Sequence, residues 1–135
     1  MTSSRPFSLG KNQRLKSRKQ IDGLFESGKK ISLFPFRVLY RLEPQGKEMK
    51  AGFTVSSKIF PRAVDRNRIK RLCRESYRLQ KKYLESLILQ NNRLLYLFFI
   101  YTEREILPYE EISAKLKQVL EKLIRVVHEN HSENT

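Results

Sequence analysis

The feature that most restricts the possible folds is an uninterrupted run of eight apolar residues, LLYLFFIY, at positions 94–101. A run this short and this rich in aromatic side chains predicts a fully buried β-strand rather than a helix. No longer apolar run occurs, and a membrane-spanning helix needs about 18 such residues. The chain is therefore expected to fold around a sheet that contains this strand and is covered by helices.

Two stretches upstream of this run alternate between apolar and polar residues, which is the pattern of half-buried strands. They cover residues 36–42 and 49–55 and are separated by PQGK at 44–47, a sequence typical of turns. Together they predict a long antiparallel hairpin. Residues 29–33 are a candidate for one further short strand.

Three segments show the spacing of amphipathic helices. In the first, Ser17 is placed to cap a short helix with Gln20 three residues later, and Gly28 is placed to close it in the left-handed conformation. Residues 63 to about 90 predict the longest helix. The third helix follows Pro108, which suits a first turn, and has an apolar stripe formed by Ile112, Leu116, Val119, Leu120, Leu123, Ile124 and Val127.

The resulting order, α-β-β-(β)-α-β-α, predicts an α+β fold, a two-layer α/β sandwich. Residues 1–135 are expected to form a single domain with an ordered core of about 13–128 and a polar tail at each end. The N-terminal residues contain no apolar segment typical of a secretory signal. Cys73 is the one cysteine and has no partner for an internal disulfide, which favours a cytoplasmic location.

Charge is distributed unevenly along the chain, whose net charge is +14. Residues 1–82 contain 22 of the 28 lysines and arginines but only 6 of the 14 acids. A surface charged merely for solubility would spread its charge, whereas this segregation indicates a dedicated face for a polyanion. Nucleic acid is favoured over an anionic membrane surface, because the basic helix has a core-facing side rather than a lipid-facing side.

The segment AVDRNRIKRLCRESYR at 63–78 contains six basic residues and two acids. Advancing about 100° per residue separates it into two sides. One side is a predicted core stripe of Ile69, Leu72, Ser76, Leu79 and Tyr83. The other side is almost purely cationic and contains Arg66, Asn67, Lys70, Arg71, Arg74, Arg78 and Lys81. Like charges at i, i+4 repel one another, so this side is expected to meet phosphates.

The stretch GFTVSSKIFPRAVDRNRIKRLCRESYR, residues 52–78, resembles the signature of the bacterial ribonuclease P protein family. The similarity extends to RLKSRKQIDGLFESG and FRVLYRL, and so to most of residues 14–128. Ser57 and Ile21 depart from the family pattern, which usually has a lysine and an aromatic residue there. The resemblance implies a ribosomal-protein-like fold with a left-handed βαβ crossover, although about 98% of such crossovers are right-handed.

The resemblance also implies a function: a single RNA-binding domain that assists removal of the 5′ leader from precursor tRNA. Its partners would be ribonuclease P RNA and precursor tRNA, with no DNA and no membrane. Hydrolysis would be carried out by the RNA subunit with phosphate-bound Mg²⁺, so no catalytic or metal-binding residue is expected in the protein. Residues matching the leader cleft are Phe25, Tyr40 and Lys58. Those matching the motif near the catalytic RNA are Arg66, Asn67, Arg68, Lys70, Arg71 and Arg74.

Other interpretations were weighed against this one. His128 and His131 lack a third ligand on a rigid element, and the acids at 103–111 suit a helix N-terminus as well as a nuclease site. For Phe25 and Tyr40, core packing and base stacking both remain open. A ribosomal protein or RNA chaperone of the same fold is the alternative function, and a protein-only nuclease is a third.

Overall fold

The computed structural model of the protein describes residues 14–133, with side chains over 14–129. The predicted N-terminal tail therefore lies outside the described residues, whereas the predicted C-terminal tail is helical as far as Glu133; the side chain of His131 is not described. The helices and strands, in chain order, are α1 Arg18–Ser27, β1 Lys29–Leu33, β2 Phe36–Glu43, β3 Glu48–Val55, α2 Ala63–Gln80, α3 Lys82–Gln90, β4 Leu94–Tyr101 and α4 Tyr109–Glu133. The predicted α+β class is confirmed, and the short strand at 29–33 is present as β1.

The four strands form one sheet in the order β1-β2-β4-β3, so the predicted hairpin of β2 with β3 is wrong. The strongly apolar β4 lies between them, antiparallel to β2 and parallel to β3. A central position gives this strand a neighbour on each edge and burial on both faces. The β2–β3 loop crosses the start of β4, where Gly46 N–H donates to Asn92 O at 3.1 Å. Gly46 has φ +152°, and a Cβ there would lie 2.5 Å from Leu94 Cβ.

The parallel pairing of β3 with β4 requires a crossover connection, which α2 and α3 provide. Its left hand stays a prediction. The connection is two helices rather than the one predicted, because α2 ends at Gln80 and α3 begins at Lys82. The longest helix is consequently α4, with 25 residues.

One face of the sheet packs against α2, α3 and α4 and carries the larger core. Phe99 lies at its centre, with its ring in contact with the rings of Phe36, Phe53 and Tyr77. The predicted stripe of α4 faces this core, and all of its members are buried except the half-buried Ile124. We call this side the core face.

The side of α2 that packs on the core face differs from the prediction. Cys73 and Tyr77 are buried together with Ile69 and Ser76, whereas the predicted core residues Leu79 and Tyr83 are 45% and 60% exposed. The helix is turned toward Tyr77 because that ring packs edge-on against both Phe53 and Phe99, which are stacked on each other.

Lys81 also differs from the prediction, since it is buried rather than on the cationic side. Its Nζ lies 2.9 Å from Glu85 Oε1, and a charge removed from water requires such a partner.

Within residues 14–133, the opposite face of the sheet is covered by α1 and the segment before it. Its buried cluster is Leu15, Leu24, Leu39, Tyr96 and Phe98. The predicted cap of α1 is confirmed, since Ser17 Oγ accepts from Gln20 N–H at 3.3 Å. The predicted left-handed Gly28 is wrong, because its φ of −72° is ordinary extended backbone. We call this side of the sheet the open face. None of the helices within the described residues is long and apolar enough to cross a bilayer.

Candidate nucleic-acid interface

The solvent-facing side of α2 presents most of the cations that the sequence singled out. Asn67, Arg68 and Arg71 are exposed, and Lys70 and Arg74 are half-buried. These five residues are called the cationic surface below. Because α2 lies against the edge strand β3, this surface continues onto the sheet edge rather than facing α4.

Arg14, which precedes α1, extends the cationic surface beyond α2. It shares a recess of about 180 Å³ with Arg71, Arg74, Glu75 and Arg78. A second recess, of about 160 Å³, is lined by Arg14, Lys70 and Arg74 together with the backbone around Gly52. The backbone of the segment is fixed by Leu15 N–H, which donates to Ala51 O at 2.9 Å. The position of Arg14 beside α2 was not predicted, because this contact is between residues distant in sequence.

Arg66 does not share the exposed position of its neighbours. Its guanidinium donates hydrogen bonds to Phe60 O at 2.9 Å and Pro61 O at 2.8 Å, in the loop that leads into α2. A charged donor between two carbonyl oxygens stabilises the turn of the chain there. The structure therefore gives Arg66 a role in holding this loop, although the sequence placed it among the RNA contacts.

An aromatic pair lies on the open face, at the edge of α1. Phe25 is 55% exposed, and its ring meets that of Phe98 edge-on, with centroids 5.9 Å apart and planes at 70°. The next cross-strand row toward the end of β4 on this face consists of Arg37, Ile100 and Thr54. Arg37 is exposed, so a cation lies near an aromatic surface that water can reach. Phe98 and Arg37 were not predicted as site residues, because alternation within 94–101 does not reveal which face a helix leaves open.

Tyr40 and Lys58 are not brought together with Phe25. Tyr40 is only 7% exposed and belongs to the core face, on the other side of the sheet. Burial, and to a lesser extent the charge of Glu129, raises the pKa of its hydroxyl. Lys58 is exposed in the loop after β3, where its N–H donates to Ser56 Oγ at 3.2 Å. The three residues therefore do not line one cleft.

Three groups that could act as a nucleophile or as metal ligands are either buried or paired with another side chain. Cys73 is buried, and desolvation raises the pKa of its thiol to about 12, so it stays protonated at neutral pH. Glu43 pairs with Arg41 at 2.9 Å, and Glu48 accepts a hydrogen bond from Tyr96. Over the described part of the chain, no three His, Cys, Asp or Glu side chains are grouped so as to hold a metal ion. These side chains therefore do not fit a protein-held Mg²⁺.

Comparisons with known proteins agree with this picture. The sequence profile of the family described as Ribonuclease P matches residues 9–124. The ribonuclease P protein component of Porphyromonas gingivalis is 35% identical over 125 residues, which cover 89% of each chain. The fold is similar to the RNase P protein from Thermotoga maritima, with a TM-score of 0.65 at 24% identity over 81% of this chain and 96% of that one.

The RNase P protein of Staphylococcus aureus is also similar, with a TM-score of 0.59 at 25% identity over 84% of this chain and 96% of that one. The sequence profile and the Porphyromonas relative each span most of the chain, and the solved structures share its fold. They favour the ribonuclease P interpretation over a ribosomal protein or chaperone. The chain belongs to the family of ribonuclease P protein components, the accessory subunits of a tRNA-processing endonuclease.

Proposed function

We propose that this chain binds ribonuclease P RNA through the cationic surface and the 5′ leader of precursor tRNA through the open face. The observation that carries the proposal is the separation of two surfaces of different chemistry. One is cationic and lies on α2, and the other carries the exposed ring of Phe25, which α1 holds against the sheet. Phosphate backbones are bound by the first kind of surface and unpaired bases by the second.

The cationic surface suits a folded RNA because its positive charge is not neutralised within the protein. In the part of the chain that the structure describes, the ion pairs join Arg41 to Glu43, Lys50 to Glu48, Arg78 to Glu75 and Lys81 to Glu85. None of them uses Lys70, Arg71 or Arg74. Bound phosphates would relieve the repulsion between Lys70 and Arg74, which are one helical turn apart.

The open face suits a single strand. Phe25 and Phe98 offer a ring surface for a base, and Arg37 lies one cross-strand row away for the adjoining phosphate. Lys58, exposed in the loop after β3, is assigned as a further contact for the leader phosphates. Tyr40, on the core face, is assigned to packing. A stacking aromatic side chain contributes about 1–3 kcal/mol per base.

The chemistry of leader removal is assigned to the RNA subunit, with Mg²⁺ held by RNA phosphates. The protein residues bind and orient the two RNAs and supply neither a general base nor a metal ligand. Since tRNA maturation uses newly made transcripts, we place the assembly in the cytoplasm.

The proposal is tested by precursor-tRNA cleavage in three reactions. These contain the protein alone, a cognate RNA subunit alone at high Mg²⁺, and both together at low Mg²⁺. Cleavage is expected in the second and third reactions and not in the first. Cleavage by the protein alone would show a protein nuclease. If the protein does not stimulate cleavage by the RNA subunit at low Mg²⁺, the result favours the alternative of a ribosomal protein or RNA chaperone.

A further inference from the structure

Helix α1 contacts the open face of the sheet through few apolar side chains. Leu24 is its one fully buried residue, and Ile21 is half-buried beside it. At about 100° per residue, Gln20 and Phe25 lie roughly 70° to either side of the line between these two apolar residues. Rotation of α1 about its own axis would therefore move Gln20 and Phe25 in opposite senses relative to the sheet.

A hydrogen-bonded chain ties the Gln20 side of α1 to two strands. Gln20 Nε2 donates to the Tyr96 hydroxyl at 3.1 Å, and that hydroxyl donates to Glu48 Oε2. Lys50 Nζ lies 3.9 Å from the same carboxylate oxygen. Gln20, Tyr96 and Glu48 are called the Tyr96 clamp below. It joins α1, β4 and β3 through a tyrosine that is 8% exposed.

The start of α1 is held independently, by the backbone hydrogen bond from Leu15 N–H to Ala51 O. Because that end is fixed, the motions still open to α1 are rotation and tilt about its apolar contact with the sheet. The Tyr96 clamp opposes that motion on one side. On the other side, the exposed Phe25 has only an edge-on ring contact with Phe98.

We propose that Tyr96 is a positioning residue for the leader site: through Gln20 it fixes the rotation of α1 and so the height of Phe25 above Phe98. The inference rests on the proposed leader-binding role of the open face. It predicts that loss of the clamp weakens leader binding without removing any group that touches the leader.

The test compares Tyr96→Phe with Tyr101→Phe in the reconstituted holoenzyme. Tyr101 is a matched control, because its buried hydroxyl also makes two hydrogen bonds, to Glu105 O at 2.6 Å and from Leu107 N–H at 3.1 Å. Tyr101 lies on the core face, away from α1. Both variants are expected to lower the melting temperature. Only Tyr96→Phe is expected to weaken precursor-tRNA affinity, by about five-fold if one net hydrogen bond sets the position. Affinity for mature tRNA should not change.

Gln20→Ala provides a second test at a half-buried position that leaves the core intact. It should give the same selective loss for precursor tRNA, and the double variant Gln20→Ala, Tyr96→Phe should lose little more than either single variant. Additive losses would contradict a common clamp.

Phe25→Ala distinguishes the two ways in which the idea can fail. If Phe25→Ala weakens precursor binding selectively while Tyr96→Phe behaves like Tyr101→Phe, the positioning role is overturned and the leader site stands. If Phe25→Ala leaves the difference between precursor and mature tRNA unchanged, both the leader site and the positioning role are overturned.

Discussion

The two faces of the sheet are built from adjacent residues of one strand but in different ways. Phe99, on the core face, contacts three aromatic rings and is 1% exposed. Phe98, on the open face, has an aromatic contact only with Phe25 among the described residues, and Phe25 is itself 55% exposed. Among the described residues, three helices cover the core face, whereas one short helix and the segment before it cover the open face. The difference indicates that one face supplies the stability on which the other can remain partly open for a ligand.

A second contrast concerns what holds the helices. On the core face, α4 is held by a continuous apolar stripe from Ile112 to Val127. On the open face, α1 has one fully buried side chain and depends on the Tyr96 clamp for its orientation. Apolar contacts tolerate small rotations, whereas hydrogen bonds have preferred directions. A polar clamp is therefore suited to a helix whose exact position sets a binding site.

The largest expected effect comes from truncating the two adjacent phenylalanines. Phe99→Ala should lower the free energy of unfolding by about 3–5 kcal/mol, the usual cost for a buried phenylalanine. Phe98→Ala should cost clearly less, because Phe98 is 7% exposed and belongs to the smaller of the two buried clusters. Urea unfolding of both variants measures the difference. Equal losses would show that the open face is packed as firmly as the core face.

The next effect concerns the cationic surface. Replacing Lys70, Arg71 and Arg74 together by Ala should flatten the log–log salt dependence of RNA-subunit binding by about two to three units, at about 0.7–0.9 per phosphate. The melting temperature should change little, because none of these three side chains belongs to the buried core or to an ion pair among the described residues.

Arg66→Ala is the contrasting variant, since Arg66 bonds Phe60 O and Pro61 O. It should lower the melting temperature and change the salt slope little. If Arg66→Ala alone lowers the slope of the log–log salt dependence by about one unit, the Arg66 guanidinium contacts an RNA phosphate instead.

The smallest expected effect is on the pH dependence of stability above pH 10. It should be similar for Tyr96 on the open face and Tyr101 on the core face. Burial raises the pKa of Tyr96 and of Tyr101 to about 12, from an ordinary value of about 10. The folded state thus favours the neutral hydroxyls. Their contribution to stability is complete below pH 10 and is lost as the pH rises from about 10 to 12. Tyr96→Phe and Tyr101→Phe should each make this fall in stability shallower. If the loss of stability at high pH is the same in these variants as in the unmodified protein, the two hydroxyls ionise in the folded protein as readily as in the unfolded chain.

Local patterns predicted much of the fold. The Ser17 cap of α1, the strand at 94–101 and the stripe of α4 were confirmed, because each depends on residues near in sequence. The pairing of β2 with β3 was wrong, because the choice between a local hairpin and the insertion of β4 depends on which strand needs two neighbours. The predicted core stripe of α2 was right at Ile69 and Ser76 but wrong at Leu79 and at Tyr83, which belongs to α3. Tyr77 is buried instead, because it packs against Phe53 and Phe99, and a pattern along one helix does not show that contact.

The candidate site was predicted in part. The family resemblance identified the basic segment of α2, and the structure places Asn67, Arg68 and Arg71 at its surface. The resemblance could not show that Arg66 bonds the preceding loop, because a side chain's partners are not encoded in a motif. It also could not show that Tyr40 and Phe25 lie on opposite faces, which depends on the register of the sheet.

In the proposed function, the open face receives the leader while the core face only supports it. Amide hydrogen exchange of the holoenzyme, with precursor tRNA and with mature tRNA, tests this claim most directly. The α2 segment, Ala63–Gln80, should be protected equally in both complexes through its contact with the RNA subunit. Additional protection with precursor tRNA should be confined to α1, Arg18–Ser27, and to β2 near Arg37. Additional protection of α4 instead, with none in α1, would contradict the account.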